Sequence, residues 1–225
     1  GATALLTRAE QLLGQSQSFD NLYVRKWQAI VELVATQASQ KALHSLELIK
    51  QEAREKQHWE TIRDCDYYRA IHTHNLQSLL YLYFGTPFDP FRERLVRNWK
   101  EKFVVPTSYT WLLGSKLNAH PIALLGGEKV PNGGKLKVGQ TKHRLLTALV
   151  SDYYRPQRNT SLFGAVFPEE HYNPTSSPKR MNLVILRLRK WLVSNKIPLT
   201  ILEKSGHYEL LGKPNCALII PQEPI

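Results

Sequence analysis

Residues 177–210 read SPKRMNLVILRLRKWLVSNKIPLTILEKSGHYEL, and the pattern of this stretch is the most informative in the chain. Ser177 and Pro178 are typical of a helix start, because a serine oxygen caps the first amides and proline lacks a donor that would be unpaired there. Apolar side chains then recur at the spacing of one helical face, at Met181, Ile185, Leu188 and Leu192. The stretch therefore predicts an amphipathic helix with one apolar seam.

The predicted helix is basic and leads into a predicted hairpin. Pro198 stops the helix, and the alternation after it predicts two strands that turn at Ser205 and Gly206. No acid lies among the cations of the helix, which are Lys179, Arg180, Arg187, Arg189, Lys190 and Lys196. A basic helix followed by a hairpin favours a protein that reads nucleic acid.

The motif Ile185-x-x-Leu188-Arg189-Lys190-x-Leu192, with a hairpin that closes at Tyr208, resembles the winged helix-turn-helix domain of OmpR/PhoB-type response regulators. Upstream, residues 141–150 resemble the first helix of that family, and residues 162–167 resemble its second. The resemblance covers the last half of the chain. It implies a small antiparallel sheet before the first helix, which the short apolar pieces in residues 109–138 fit.

The resemblance also implies a DNA-binding role for named positions. Residues 179–193 would be the recognition helix in the major groove of duplex DNA, and residues 199–210 would be the wing. Carried over residue by residue, the DNA-binding positions are Lys179, Arg180, Asn182, Val184, Leu186, Arg187, Arg189 and, in the wing, Lys204. Arg187 is expected to pair with guanine and Asn182 with adenine, while Lys179, Arg180 and Arg189 bind phosphate. Lys204 corresponds to the wing cation of the family, which would approach the minor groove.

Two departures from the family leave an alternative open. Val184 and Leu186 are apolar where the family more often has polar or basic residues, so they contact either thymine methyl groups or another protein. Lys142 stands where the family usually has an acid in its first helix. The first half of the chain also lacks a receiver pattern, so phosphorylation by a histidine kinase is not implied.

Residues 4–84 predict five helices, because apolar residues recur at helical spacing and no proline interrupts them. Antiparallel helices of this length resemble tetratricopeptide-like hairpins, although a bundle of another topology fits nearly as well. A connecting helix is predicted over about 88–103. The expected class is α+β, with a helical interaction domain at 1–105 and a winged-helix domain at 106–225. The apolar run 217–220 is expected to add an edge strand or to cover apolar surface.

The positive charge is unevenly distributed. The chain has a net charge of +11, and residues 1–85 hold nine basic and nine acidic side chains. Residues 86–225 hold 21 basic and 10 acidic side chains, which accounts for the whole excess. This asymmetry indicates that the second half meets a polyanion.

Catalysis, metal binding and membrane insertion are not predicted. His72 and His74 lie two residues apart and do not share a helical face, so with Cys65 they supply too few converging ligands. Asp64 and Asp66 are expected on a solvated face.

Catalytic motifs are absent from the sequence, so no enzyme activity and no cofactor are expected. No run reaches the ~18 apolar residues of a membrane span, and the cysteine usage favours the cytoplasm.

Two candidate functions fit these sequence features, one a DNA-binding protein and the other a protein-binding scaffold. In the first, the chain is a cytoplasmic transcription regulator that binds double-stranded DNA, forms a homodimer on paired half-sites and contacts RNA polymerase or another protein. In the second, the winged helix is a protein-interaction scaffold that does not bind DNA. The apolar residues of the recognition helix are the feature that favours the second.

Overall fold

The computed structural model describes residues 1–13, 19–99, 103–113, 121–130, 132–212 and 216–222. The chain divides into two compact units, here called unit 1 (residues 1–83 and 88–103) and unit 2 (residues 84–87 and 104–225). The described residues form a run of helices followed by helices and strands, and the strands make two small three-stranded sheets, so the predicted α+β class is confirmed. Within the described ranges, no helix is long and apolar enough to cross a membrane.

Residues 2–98 contain the helices of the first half. They are α1 (Ala2–Leu13), α2 (Phe19–Ala35), α3 (Gln40–Glu55), α4 (Trp59–Thr73), α5 (Leu76–Phe84) and α6 (Asp89–Asn98). Successive helices from α1 to α4 pack against each other, and α2 also contacts α4. The predicted connecting helix is shorter than expected, because Trp99 is extended and ends α6.

Buried ion pairs join the helices of unit 1. The Lys26 ammonium is 1% exposed and donates to Asp64 at 2.6 Å. Lys50 donates to Asp66, also at 2.6 Å. The expectation that both aspartates lie on a solvated face is therefore wrong. Each carboxylate is paired across helices, because an apolar helix interface tolerates a charge only next to its partner.

Unit 2 begins with strands and ends with a hairpin and a last strand. Its elements are β1 (Ser108–Leu112), β2 (Pro121–Ile122), α7 (Thr141–Leu149), β3 (Gln157–Arg158), α8 (Asn159–Val166), α9 (Ser177–Ser194), β4 (Leu199–Lys204), β5 (His207–Gly212) and β6 (Ala217–Pro221). Helices α7, α8 and α9 pack on one another, and α9 also contacts β4. The core between them holds fully buried apolar side chains, including Leu145, Leu162 and Leu188.

The predicted hairpin is confirmed. Strands β4 and β5 pair antiparallel from Leu199 with Gly212 to Lys204 with His207. Ser205 and Gly206 form the turn with φ angles of 52° and 74°. Positive φ at both central residues suits the tight turn that matches the twist of a hairpin. Strand β3 pairs with the other side of β5 and makes the sheet order β3-β5-β4.

The other sheet is mixed and is completed by the end of the chain. Its order is β1-β6-β2, with β1 antiparallel and β2 parallel to β6. Residues 217–220 therefore form neither an edge strand nor a surface cover. The small antiparallel sheet expected before α7 is instead a mixed sheet, because β1 and β2 pair with β6 and not with each other. Ala217, Leu218 and Ile220 are buried, and a strand that is buried on both faces belongs in the centre of a sheet.

The start of α9 differs by one residue from the prediction. Ser176 occupies the cap position and Ser177 is the first helical residue, with Pro178 in the first turn. The Ser177 hydroxyl is buried and accepts a hydrogen bond from the Asn173 amide at 2.8 Å. Ser177 therefore fixes the preceding loop instead of capping the helix.

Candidate nucleic-acid interface

The apolar seam of α9 is buried as predicted. Met181, Ile185, Leu188 and Leu192 are all at most 2% exposed. Because these residues lie on one helical face, the opposite face is left in solvent. That outer face carries Lys179, Asn182, Leu183, Leu186, Arg187 and Lys190, all of them exposed.

Val184 does not lie on the outer face. Its side chain is 4% exposed and belongs to the core with the apolar seam. It lies three residues after Met181 and four before Leu188, which places it on the buried side of the helix. The expectation that Val184 faces the groove is therefore corrected, and Leu183 takes the outward position.

Arg180 is held by the loop between α8 and α9. Its guanidinium donates to both carboxylate oxygens of Glu170, with one distance of 2.9 Å. It also lies 4.3 Å from the centre of the Phe167 ring. The same hydrogen bond from Arg180 lowers the pKa of Glu170, because it stabilises the carboxylate. Arg180, which was expected to bind phosphate, is therefore already paired within the protein.

Asn182 and Arg189 tie α9 to the hairpin. The Asn182 carbonyl oxygen accepts a hydrogen bond from the Tyr208 hydroxyl at 3.1 Å. The half-buried Arg189 guanidinium donates to the carbonyl oxygen of Ile201 at 2.8 Å. Both side chains connect the helix to the hairpin. Any DNA contact of Asn182 or Arg189 would therefore come in addition to this structural role.

The tip of the hairpin is basic. Lys204 is the exposed last residue of β4, and its cross-strand partner is His207. Arg158 of β3 donates from its Nε to Nε2 of His207 at 3.3 Å, which assigns the imidazole proton to Nδ1. Nδ1 in turn lies 3.0 Å from the Ser205 carbonyl oxygen, its acceptor. The hairpin tip therefore presents two permanent cations, Lys204 and Arg158.

A cleft of about 460 Å³ lies between the start of α7, the α8–α9 loop and α9. Lys142, Arg144 and Arg187 line it, and Glu169 and Glu170 lie on its other side. No acid occurs in the first turn of α7, where the helix dipole favours negative charge. Cations in this turn are unfavourable for the helix itself. This local conflict is the sequence signal by which Lys142 and Arg144 could have been recognised as candidate binding residues.

The residues considered for catalysis have structural partners. Burial raises the pKa of the Cys65 thiol to about 12, so Cys65 is not a thiolate at neutral pH. His72 stacks on Tyr68, and both ring nitrogens of the buried His143 have backbone partners. Among the described residues, no cluster of three or more His, Cys, Asp or Glu side chains has the arrangement of a metal site.

No family model, curated protein or solved structure matches this chain. Its function must therefore be inferred from its residues and their geometry. The outer face of α9, the hairpin tip and the cleft beside Arg187 all belong to unit 2, and the outer face of α9 makes this unit the candidate for binding a polyanion.

Proposed function

We propose that this chain is a DNA-binding transcriptional regulator that reads duplex DNA through a winged helix-turn-helix domain in unit 2. The order α7, β3, α8, α9 and the β4–β5 hairpin, with the sheet order β3-β5-β4, supports this assignment. In such a domain the second helix of the turn, here α9, enters the major groove. The hairpin is then the wing beside it.

The observation that carries the proposal is the acid-free outer face of α9. Lys179, Arg187 and Lys190 are exposed on it, and no Asp or Glu occurs in the helix. A helix fits the major groove, which is about 12 Å wide. Cations at the edges of that helix reach the phosphates on both sides of the groove, while side chains at its centre reach the bases.

The wing extends the same basic surface. Lys204 and Arg158 lie at its tip, where they can approach the neighbouring minor groove or its phosphates. The cleft beside Arg187 is lined by two further cations, Lys142 and Arg144, and by the acids Glu169 and Glu170, so it adds phosphate-binding side chains without adding net charge. Binding is therefore expected to depend steeply on salt, since each neutralised phosphate releases counterions.

Unit 1 is proposed to serve protein interaction or dimerisation. Its helices α1–α4 pack in sequence order, which is an arrangement that commonly presents a surface to another protein. A homodimer would place two recognition helices on paired half-sites, and RNA polymerase or another regulator is the proposed protein partner. A regulator of this kind acts without a cofactor and in the cytoplasm, where the DNA is.

The test is binding of duplex DNA by the double variant Arg187→Ala/Lys190→Ala. Because the proposed guanine contact of Arg187 and one phosphate contact of Lys190 are removed, we expect affinity to fall about tenfold at 0.1 M salt and the salt slope to decrease by about 1. Fluorescence anisotropy with a labelled duplex at several salt concentrations measures both quantities.

The matched control is Arg8→Ala/Arg54→Ala, which removes the same net charge from exposed positions of unit 1. We expect this control to keep the affinity and the salt slope of the unchanged chain. The proposal fails if the unchanged chain shows no salt-dependent binding to duplex DNA, or if both double variants weaken binding equally.

A second prediction concerns the ion pair of Arg180. Glu170→Gln removes the carboxylate that holds this guanidinium and also removes a negative charge from the proposed surface. We expect DNA affinity to rise about threefold, because the cation is released from its carboxylate and becomes free for phosphate. Glu203→Gln, an exposed acid of β4, is the comparison for loss of charge alone. An equal gain in both variants would mean that Arg180 gains no phosphate contact.

A protein-interaction scaffold is the second candidate. Its supporting observation is the exposure of apolar side chains on α9, with Leu183 46%, Leu186 45% and Val193 77% exposed. An apolar strip on a helix is a common docking feature for another protein. DNA binding that is unaffected by Arg187→Ala/Lys190→Ala, together with loss of a protein complex in Leu186→Ala, would favour this candidate.

A further inference from the structure

The residues of α9 that lie farthest from the core of unit 2 form a stripe along the helix. Each of them lies two positions before a residue of the buried seam, which is about 200° around a helix. The stripe therefore points directly away from the core. Its members are Lys179, Leu183, Leu186 and Lys190.

The centre of this stripe is apolar and its ends are cationic. Leu183 and Leu186 are 46% and 45% exposed, although nothing in their own helix requires an apolar side chain there. Lys179 and Lys190 lie one turn beyond them on either side, and Arg187 lies beside Leu186. At the rim of a protein groove these cations would stay in water and contribute little to affinity.

Duplex DNA accommodates the same composition. On the floor of the major groove, the C5-methyl group of thymine is the apolar feature, and phosphates line both edges. Leu183 and Leu186 lie about 4.5 Å apart along the helix axis, which is close to the ~3.4 Å spacing of base pairs. Two leucines at this separation match thymines at successive positions, while the flanking cations meet phosphates.

We propose that Leu183 and Leu186 determine sequence specificity by contacting thymine methyl groups in the major groove. This inference rests on the proposed DNA-binding function and names the base that the apolar part of α9 selects. It predicts preferred sites with thymines at neighbouring positions, on one or both strands, facing the middle of α9. Each buried methyl group should contribute about fourfold to affinity.

The experiment starts from the duplex that the full chain selects from a random pool. Each thymine in that duplex is then replaced singly by deoxyuridine, which keeps the base-pairing edge and lacks only the methyl group. Affinity is measured for the unchanged chain, for Leu183→Ala, for Leu186→Ala and for Leu112→Ala. Leu112 is the matched control, because it is 38% exposed but lies on β1.

We expect the unchanged chain and Leu112→Ala to lose about fourfold in affinity at one or two neighbouring thymines. Leu183→Ala should become insensitive to the methyl group at one of these positions and Leu186→Ala at the other. Because both leucines are exposed, circular dichroism and thermal unfolding should be unchanged in these variants.

Three results would overturn the inference and leave DNA binding intact. They are a selected duplex without thymine, tolerance of uracil at every position, and methyl sensitivity that persists in both leucine variants.

Absence of any salt-dependent DNA binding would overturn the proposed function itself and the inference with it. Self-association of the chain that is lost in Leu183→Ala or Leu186→Ala would instead assign the stripe to a second copy of the protein and also overturn the inference.

Discussion

Leu188→Ala is expected to lower the free energy of unfolding of unit 2 by about 3 kcal/mol, within the ~2–5 kcal/mol found for such substitutions. Leu188 is fully buried in the middle of the seam that attaches α9 to the core. Removing its side chain leaves a cavity that the surrounding helices can close only in part. A domain is stable by only ~5–15 kcal/mol, so the loss is a large fraction of the total.

The measurement is hydrogen exchange of α9 peptides across a urea series, because it separates unit 2 from unit 1. Leu186→Ala is the matched control, since it makes the same chemical change on the exposed face of the same helix. We expect it to change stability by at most ~0.5 kcal/mol. Equal losses in the two variants would show that α9 is not buried along its seam.

Gly212→Ala is expected to destabilise unit 2 by about 3 kcal/mol, at the upper end of the effect of overpacking. A β-carbon at Gly212 would lie 2.2 Å from the β-carbon of Leu113 and 3.2 Å from that of Cys216. Leu113 cannot move freely, because its amide donates to the Cys216 carbonyl at 2.9 Å. The end of β5 would therefore have to separate from the chain segments next to β1 and β6.

Gly164→Ala is the matched control for this substitution. A β-carbon at Gly164 meets no atom within 4 Å, and the residue lies inside α8. Alanine should therefore stabilise the helix by about 1 kcal/mol. A double-mutant cycle with Leu113→Gly tests the cause, because removing the opposing β-carbon should recover part of the loss. Additive effects would show that the close approach at Gly212 is not what destabilises the variant.

The contacts of α9 bear on how specific a reader of DNA can be. Asn182 bonds to Tyr208 of β5, and Arg189 bonds to the Ile201 carbonyl of β4. These contacts tie the helix to the hairpin, so under the proposed function little conformational freedom would be lost when both meet DNA. Asn182 and Arg189, which the sequence predicted to touch DNA, therefore also position α9 against the hairpin.

The seam and the hairpin were predictable from sequence for local reasons. Met181, Ile185, Leu188 and Leu192 repeat with the helical period, and Pro198 separates them from the alternation of β4 and β5. The outer cations of α9 followed from the same periodicity. Sequence reasoning missed Leu183 and Lys190 as members of the outer stripe, although the seam positions alone imply them.

Strand β3 and the place of β6 were not predictable in this way. Two residues, Gln157 and Arg158, carry no periodic signal, and they form a strand only because β5 lies beside them. The run 217–221 reads as a strand, but its central position depends on β1 and β2, which are about 100 residues away in the chain. Strand order is a property of distant pairing and leaves little trace in a local pattern.

Composition and periodicity are enough to predict the α+β class, the basic second half, and a helix with one apolar and one basic face. That Val184 is buried and that Arg180 is paired with Glu170 follows only from the packing of α9 against its neighbours. The physical reason is that periodicity fixes which residues share a face of α9, whereas availability for a ligand depends on which neighbours occupy the space and bonds around each side chain.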